Sequence, residues 1–553
     1  MKKIIATIAF ALVAGQAFPQ ALPDSMVQKI DQVFSRWDNQ YSPGCTIGII
    51  LGDSLIFTKG YGMANLEYNI QNGPETIYHM ASVSKEFTGY AMVLLAKQGR
   101  LNLDDDIRKY LTWFPDMKEK ITIRHLLNHT SGIRDQWQLL AISGTRLDDV
   151  ITQEHIVKLL SKQRELNFKP GERFLYCNSG YTMCAEIVKA VTGKTLRQFT
   201  DSAIFKPLGM NSTHFHDDYT EIEKNRAYSY SRRGVGYANS VLSYSNAGAT
   251  SLFTNIPDLS KWVMNYYHTV AGDPKDIEKL TKKGLLNSGR ETDYALGIVS
   301  NTYKGWRQYS HGGSDAGFRT YLSVFPDLKM GFLVFSNFGE FNSSERTYAL
   351  ADLFIKDTST AVTTVRKIDS SKTLLTDSSR WKVLSGNYIT DEGMRAQFNW
   401  LTGRLSYIVN NNFRVLASYS RDTLADLTDP ARRLVSKIEG PDTLINVFTP
   451  GGDFRFKKFQ PGKIYSDEEL KKYTGTYYSD ELDCSYSIIL KDHQLYLANP
   501  KYPDARLNLV GDDQMNCGVW WMNNLVVQRG KKKEVTGFEV NNGRVLHLKF
   551  KKI

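Results

Sequence analysis

The chain has 553 residues and a mass of 62.8 kDa. It exceeds the ~250–300 residues at which one hydrophobic core usually stops growing, so two or three domains are expected. Its 42% hydrophobic and 23% charged residues allow packed cores and exclude wholesale disorder and collagen-like composition. The net charge of +11 is spread along the chain, and the densest basic run, residues 531–533, is typical of a solvated turn, so we predict no nucleic-acid partner.

The N-terminus predicts export. Lys2 and Lys3 precede an apolar run that reaches Ala14, and small residues follow, which is the pattern of a secretory signal peptide over residues 1–21. No other apolar stretch reaches the ~18 residues that a membrane span needs, so we expect no stable membrane insertion. A periplasmic or secreted location follows.

The cysteine and histidine patterns predict neither a disulfide framework nor a cofactor. Five cysteines leave at least one unpaired. If Cys177 and Cys184 share a helix, ~10 Å separates them, beyond the ~7 Å Cα limit for a bridge, so Cys484 with Cys517 is the one plausible pair. No His/Cys cluster has zinc-ligand spacing, and no glycine-rich nucleotide loop follows a strand pattern, so we predict no metal and no cofactor.

The patterning divides the chain. Residues 22–357 mix apolar alternation, as at 45–57, with amphipathic helical patterns at 84–99 and 178–193, which indicates one α/β or α+β domain. Residues 358–380 are rich in Ser, Thr, Asp and Lys and lack apolar periodicity, as in a linker. After the linker, helical patterns nearly vanish, and short alternating runs separated by turn residues predict antiparallel β-structure.

The β-rich part contains an internal repeat. Residues 384–388, Leu-Ser-Gly-Asn-Tyr, recur 89 positions later as residues 473–477, Tyr-Thr-Gly-Thr-Tyr. The repeat defines two modules, 381–462 and 463–553. A unit of ~80–90 residues with only β signals most economically closes into a small up-and-down, lipocalin-like barrel, because closure removes exposed strand edges.

The first chemical motif is Ser-x-x-Lys at residues 82–85, where a helical pattern begins. Residues three apart share a helix face, so Ser82 and Lys85 are expected within hydrogen-bond reach. A serine hydroxyl needs a base, and a lysine serves when burial and a neighbouring positive charge lower its pKa. Alone, the motif is also compatible with two exposed polar residues.

Two more motifs follow in order: Tyr176-x-Asn178, and His311-Gly312-Gly313 before Ser314. This order resembles the serine β-lactamase and penicillin-recognising family, in the branch of class C β-lactamases, D-alanyl-D-alanine carboxypeptidases, D-aminopeptidases and related esterases. The likeness covers about residues 25–355, and the segments that also look like the family are 121–132, 207–210 and 294–297.

The resemblance implies an α+β fold in which an antiparallel sheet is flanked by helices and joined by a helical subdomain, followed here by the two barrels. It implies that Ser82 is the acylated nucleophile and that Lys85 and Tyr176 share the proton transfers. Asn178 would position Lys85 and the substrate amide. The substrate-binding residues would be Asn178, His311, Gly312, Gly313 and Ser314, with the Ser82 and Ser314 backbone N–H groups as the oxyanion hole.

The third motif departs from class C β-lactamases, which carry Lys-Thr-Gly there. A histidine with the ordinary pKa of ~6.5 is mostly neutral at pH 7, and Gly312 has no hydroxyl, so His311-Gly312 should hold a carboxylate weakly. Efficient β-lactamase activity is therefore not expected, unless a basic side chain such as Arg319 restores the anchoring. Family peptidases and esterases with His-x-Gly motifs, including D-aminopeptidases with added barrels, are the closer likeness.

We expect an exported serine hydrolase that attacks amide or ester bonds through an acyl-enzyme. Its substrates would be small amides, esters or peptides, above all D-residue-containing or wall-derived peptides. The first alternative is a β-lactamase or esterase of the same fold. The second is a non-catalytic ligand-binding or sensor protein, against which the intact Ser82, Lys85, Tyr176 and Asn178 argue. The sequence leaves the oligomeric state open.

Overall fold

The computed structural model describes residues 22–358 and 378–553, apart from short gaps at 391–392, 402, 410–411, 419–421, 428–432, 438–442, 450–451, 460–463 and 512. The predicted signal peptide, 1–21, and most of the predicted linker, 358–380, lie outside the described residues. The described chain forms a domain of mixed helices and strands followed by two closed antiparallel barrels, which confirms the predicted fold class.

The helices described in the first domain are, in chain order, α1 (Asp24–Phe34), α2 (Ser84–Lys97), α3 (Ile123–Leu127), α4 (Gln136–Ile142), α5 (Gln153–Ser161), α6 (Asn178–Thr192), α7 (Leu196–Thr200), α8 (Lys206–Leu208), α9 (Ile256–Asn265), α10 (Pro274–Thr281) and α11 (Ser343–Asp352). The strands are β1 (Cys45–Leu51), β2 (Ser54–Tyr61), β3 (Met63–Asn65), β4 (Ile70–Gln71), β5 (Tyr78–His79), β6 (Ile151–Thr152), β7 (His214–Phe215), β8 (Tyr230–Arg233), β9 (Gly236–Asn239), β10 (Tyr244–Ser245), β11 (Leu252–Thr254), β12 (Val299–Tyr303), β13 (Trp306–Asp315), β14 (Phe318–Phe325) and β15 (Met330–Ser336).

Six of these strands form the central antiparallel sheet, in the order β12-β13-β14-β15-β1-β2. The alternation predicted over 45–57 spans two strands, because Gly52, with φ +58°, turns the chain between β1 and β2. β1 is buried on both faces except at its last residue. The reason is that helices cover both sides of the sheet: α1 and α11 contribute to one apolar cluster with β1 and β15, and α9 packs on the other face, where Ile256 lies against Gly48.

Helix α2 is the centre of the helical layer. Its residues from Ser84 to Leu95 are buried on every side, so this part of the helix has no solvent-facing side, unlike the amphipathic helix predicted over 84–99. It packs against α6 and α10, and the turn before it contacts β13. The start of α2 therefore lies where the sheet meets the helical layer.

The two predicted modules each form an eight-stranded closed barrel after a short helix. The first comprises α12 (Ser378–Lys382), β16 (Gly386–Ile389), β17 (Arg395–Leu401), β18 (Arg404–Val409), β19 (Asn412–Ser418), β20 (Thr423–Asp426), β21 (Arg433–Lys437), β22 (Leu444–Thr449) and β23 (Gly452–Phe459). The second comprises α13 (Asp467–Lys471), β24 (Gly475–Ser479), β25 (Cys484–Lys491), β26 (Gln494–Asn499), β27 (Tyr502–Gly511), β28 (Gln514–Asn516), β29 (Leu525–Arg529), β30 (Val535–Asn542) and β31 (Val545–Lys552).

The repeat has a structural basis at the first strand of each barrel. Gly386 and Gly475 occupy equivalent places, with φ +139° and +140°, and an added Cβ would meet the side chains of Lys458 and Lys552 at 2.8 and 2.7 Å. Two residues further on, a buried tyrosine in each barrel lies beneath the same lysine. The motif therefore recurs because the first strand of each barrel needs a glycine beside a lysine, and a tyrosine two residues later beneath that lysine.

The barrels pack differently on the first domain. The core of the second barrel is continuous with that of the first domain, whereas the first barrel has a separate core.

All five cysteines are free thiols, so the plausible Cys484–Cys517 pair is not bridged: Cys517 Sγ lies 3.0 Å from the Met522 carbonyl oxygen. Among the described residues, no helix combines the length and apolar character needed to cross a membrane.

Candidate active site

The turn that carries Ser82 exposes this one side chain. Residues Ala81–Val83 form a 3-10 turn directly before α2. Ala81 adopts the left-handed region with φ +50°, where non-glycine residues are uncommon and strained. From Ile77 to Leu95 every residue is buried except Ser82. Its hydroxyl is therefore the group of this segment that a substrate can reach.

The side chain of Lys85 lies at the centre of the site. It is fully buried, and its Nζ donates hydrogen bonds to Ser82 Oγ at 3.0 Å, Asn178 Oδ1 at 2.9 Å and the Ala249 carbonyl oxygen at 2.7 Å. Burial lowers the pKa of Lys85 to about 7, against the opposing effect of two nearby carboxylates. A lysine with this pKa is about half neutral at pH 7, so Lys85 can accept the Ser82 proton.

Tyr176 lies over the same amine. Its ring centroid is 5.0 Å from Lys85 Nζ. Burial raises the pKa of Tyr176 well above its usual range, and a hydrogen bond with Ser82 partly opposes that rise. The phenol is therefore protonated at neutral pH. A protonated hydroxyl beside both the serine and the lysine can relay a proton between them and a leaving group.

Asp135 fixes the orientation of Asn178, and sequence reasoning missed it. Its Oδ1 caps α4 by accepting from the Trp137 backbone N–H at 3.1 Å, and its Oδ2 accepts from the backbone N–H and the Nδ2 of Asn178, each at 2.8 Å. Because Nδ2 donates to this buried carboxylate, Oδ1 of Asn178 must face Lys85. The one local signal for Asp135 was its place before a short helix.

Strand β13 passes directly beside the Ser82 turn. A Cβ added at Gly313 would lie 2.2 Å from both the Met80 carbonyl oxygen and Thr320 Oγ1, so only glycine permits this approach. The Thr320 hydroxyl donates to the same carbonyl at 2.9 Å and ties β14 to the turn. Ser314 follows Gly313 on the strand and is exposed. Ser82 and Ser314 thus lie along one edge of the same cleft.

Both ring nitrogens of His311 are engaged inside the protein. Nδ1 lies 2.7 Å from the Gly312 carbonyl oxygen and Nε2 lies 2.8 Å from the Tyr294 hydroxyl. Since a carbonyl only accepts, Nδ1 carries the proton and Nε2 accepts from Tyr294. Burial, assisted by the charge of Lys85, lowers the pKa of His311 to about 3. His311 is neutral at pH 7 and offers no cation to a substrate.

These residues line one cleft of about 480 Å³. Of the predicted site residues it contains Ser82, Tyr176, Asn178, His311, Gly312, Gly313 and Ser314. Lys85 lies beneath its floor, hydrogen-bonded to Ser82. Arg319 also lines the cleft, but its Nη1 donates to the carbonyl oxygens of Ala316 and Phe318. Sequence reasoning missed a second arginine in the cleft, Arg544, which comes from the second barrel.

One group in the described part of the chain has three side chains of metal-ligand type. The ligand atoms of His214, His216 and Glu221 lie within 4.8 Å of one another, a juxtaposition that the sequence did not reveal. The Glu221 carboxylate accepts hydrogen bonds from the Arg197 guanidinium at 2.5 and 2.8 Å. A carboxylate committed to an adjacent cation is a poor metal ligand, so we assign no metal to this group.

A serine hydroxyl hydrogen-bonded to a buried lysine beside a tyrosine, at the junction of an antiparallel sheet and a helical layer, is the arrangement expected of a serine hydrolase. The chain belongs to the family described as Beta-lactamase, whose model matches residues 28–355. It is 24% identical over 522 residues to the D-aminopeptidase of Brucella anthropi, covering 91% of this chain and 94% of that protein. The family resemblance drawn from the three motifs is thereby confirmed.

Two solved structures share the fold. The octameric penicillin-binding protein homologue from Pyrococcus abyssi has a TM-score of 0.53 and 21% identity, over 86% of this chain and 97% of that one. The D-amino acid amidase from Ochrobactrum anthropi SV3, solved with D-phenylalanine, has a TM-score of 0.51 and 19% identity, over 60% of this chain and 98% of that one.

Proposed function

We propose that this protein is an exported hydrolase that cleaves amide or ester bonds of small D-residue-containing or wall-derived peptides through an acyl-enzyme on Ser82. The observation that carries the chemistry is the 3.0 Å hydrogen bond between buried Lys85 Nζ and Ser82 Oγ. The likeness to a D-aminopeptidase over 91% of the chain supports the substrate class. The basic and apolar leader supports export.

In the proposed reaction, the neutral Lys85 amine removes the proton from Ser82 Oγ as that oxygen bonds to the substrate carbonyl carbon. The backbone N–H groups of Ser82 and Ser314 stabilise the negative carbonyl oxygen. The proton then passes from Lys85 through the Tyr176 hydroxyl to the leaving nitrogen or oxygen as its bond to carbon breaks.

Deacylation repeats these steps with water. A water attacks the acyl carbon, loses a proton to the Lys85 and Tyr176 pair, and the C–O bond to Ser82 breaks as the serine regains its proton. Asn178 holds Lys85 through Oδ1 and is itself held by Asp135. The side chains of the site thus account for every proton transfer in both half-reactions, and neither half-reaction needs a cofactor.

Steady-state hydrolysis tests the proposal with a panel of D- and L-aminoacyl p-nitroanilides, p-nitrophenyl esters, a penicillin and a cephalosporin. We expect D-aminoacyl substrates to turn over faster than their L-enantiomers, and β-lactams to turn over slowly or only acylate the enzyme. Ser82→Ala should abolish turnover, whereas Ser344→Ala, which removes another hydroxyl that lines the cleft, should retain it. Rapid β-lactam turnover would assign the protein to the β-lactamases instead. Folded protein without turnover or adduct on any substrate would favour a binding function.

A further inference from the structure

The hairpin between β30 and β31 of the second barrel reaches the cleft of the first domain, and its backbone is fixed there. Gln138 Nε2 donates to the Asn542 carbonyl oxygen at 2.6 Å, and Gln138 Oε1 accepts from the Arg544 N–H at 2.9 Å. The Arg544 carbonyl oxygen accepts from the Asp135 N–H at 3.2 Å and from Asn167 Nδ2 at 2.9 Å. Both the backbone N–H and the backbone carbonyl oxygen of Arg544 are therefore hydrogen-bonded to the first domain.

The buried side chain of Arg134 joins the first domain to two parts of the second barrel, one of which is the same hairpin. Arg134 is fully buried, and its Nη1 lies 2.7 Å from Glu481 Oε2 in the second barrel. Its Nε donates to the Leu546 carbonyl oxygen at 2.8 Å, two residues beyond Arg544. The hairpin thus has a defined position relative to the first domain.

The side chain of Arg544 is held less tightly than its backbone. Its guanidinium carbon lies 4.9 Å from the centroid of the Tyr176 ring, and its side chain is 44% exposed. Its Nη1 is 3.8 Å from Asp135 Oδ2, beyond hydrogen-bond distance, and that oxygen already accepts two hydrogen bonds from Asn178. Among the described residues, the guanidinium meets no acceptor at hydrogen-bond distance.

The other basic side chains of the site are less available to a ligand. Lys85 donates to three acceptors below the cleft floor. Arg319 is less exposed than Arg544, and its Nη1 donates to two carbonyl oxygens of its own turn. His311 is neutral with both nitrogens engaged. Arg544 is thus the cation of the described cleft whose donors are most available to a ligand.

We infer that Arg544 is a specificity-determining residue that binds a carboxylate on the leaving-group side of the substrate. A guanidinium presents paired N–H donors that match the two oxygens of a carboxylate. Its place over Tyr176, the proposed proton donor to the leaving group, puts that carboxylate next to the departing residue. The inference rests on the proposed function and makes the favoured substrate a D-peptide whose leaving residue carries its free terminal carboxylate.

The kinetic test compares D-alanyl-D-alanine with its C-terminal amide, which differ only in the carboxylate. We expect Arg544→Gln to lower kcat/KM for the acid roughly 10- to 100-fold and for the amide less than about twofold, because a charged hydrogen bond is lost only with the acid. Arg544→Lys should recover part of the loss. Arg506→Gln, which removes a cation elsewhere on the same barrel, should change neither value. An unchanged acid-to-amide ratio in Arg544→Gln would overturn the inference.

A binding measurement separates this inference from the proposed function. Ser82→Ala protein is titrated calorimetrically with the same acid and amide, with and without the additional Arg544→Gln change. We expect at least about tenfold tighter binding of the acid, and loss of that preference without Arg544. Equal affinity for both ligands, or no binding of either, overturns the role of Arg544. A preference that persists in a protein whose wild type hydrolyses nothing would support Arg544 and refute the proposed function.

Discussion

The rate at which Ser82 is acylated should follow the ionisation of Lys85. A pKa of about 7 makes the amine about 1% neutral at pH 5, 10% at pH 6 and half neutral at pH 7, whereas an ordinary lysine at ~10.4 is under 0.1% neutral at pH 7. We therefore predict that labelling of Ser82 by a fluorophosphonate accelerates about tenfold from pH 5 to 6 and about fivefold from pH 6 to 7, and levels off above about pH 8. Labelling isolates the first half-reaction because no deacylation follows it.

Other titrating groups near Ser82 have to be separated from Lys85. Tyr176 stays protonated and His311 stays neutral over this range. Burial raises the pKa of Glu86 to about 7, but its carboxylate faces away, toward hydrogen bonds with Trp262 and Tyr266. Glu86→Gln is therefore the control, and we expect it to keep the midpoint near pH 7.

Replacing the base itself completes the test. Lys85→Met should lower the labelling rate by about 10²- to 10⁴-fold, the usual contribution of a general base. A rate that does not change between pH 5 and 8, or that rises only above pH 9, would refute Lys85 as the base that activates Ser82.

Three further predictions follow from the packing around the site. Gly313→Ala should lower kcat by about 10²- to 10³-fold, because its Cβ forces β13 away from the Ser82 turn and disturbs the oxyanion site. The control is Gly312→Ala, whose Cβ meets a Tyr321 ring carbon at 3.3 Å and which should be tolerated. Equal losses of kcat in the two variants would contradict this prediction. Asp135→Asn should lower kcat/KM about 10²-fold, because the Asn178 amide is no longer held in place. The circular dichroism spectrum should stay unchanged, which shows that the variant folds. Wild-type kinetics in this variant would show that the carboxylate is not needed. Arg134→Ala should destabilise docking of the second barrel by ~3–5 kcal/mol, because the buried Glu481 carboxylate loses the cation that pairs with it. Hydrogen exchange over residues 541–546 should become faster, and exchange at the wild-type rate would contradict a structural role for the pair.

The sequence was informative where the proposed catalytic groups lie in one short segment. Ser82 and Lys85 are three residues apart on one helical start, so their contact follows from helix geometry. The repeat likewise predicted the barrels, because each first strand needs the same glycine and tyrosine. In both cases neighbouring residues in the chain are also neighbours in space.

The remaining features depend on contacts between distant segments. Asp135 meets Asn178 across 43 positions, and Arg544 meets Asp135 only because the second barrel docks on the first domain. The engagement of His311 by Tyr294 also required the fold. No periodicity or spacing rule relates residues brought together by tertiary docking, so the sequence named Arg319 as the candidate cation and missed Arg544.

Intact-mass spectrometry of the acyl-enzyme tests the central claim most directly. Wild-type and Ser82→Ala protein are mixed briefly with D-alanyl p-nitrophenyl ester, quenched in acid and digested to locate any adduct. We predict that wild-type protein gains the mass of one D-alanyl group on the peptide that contains Ser82, and that Ser82→Ala gains none. No adduct on folded wild-type protein that still releases nitrophenol, or an adduct that persists in Ser82→Ala, would contradict an acyl-enzyme on Ser82.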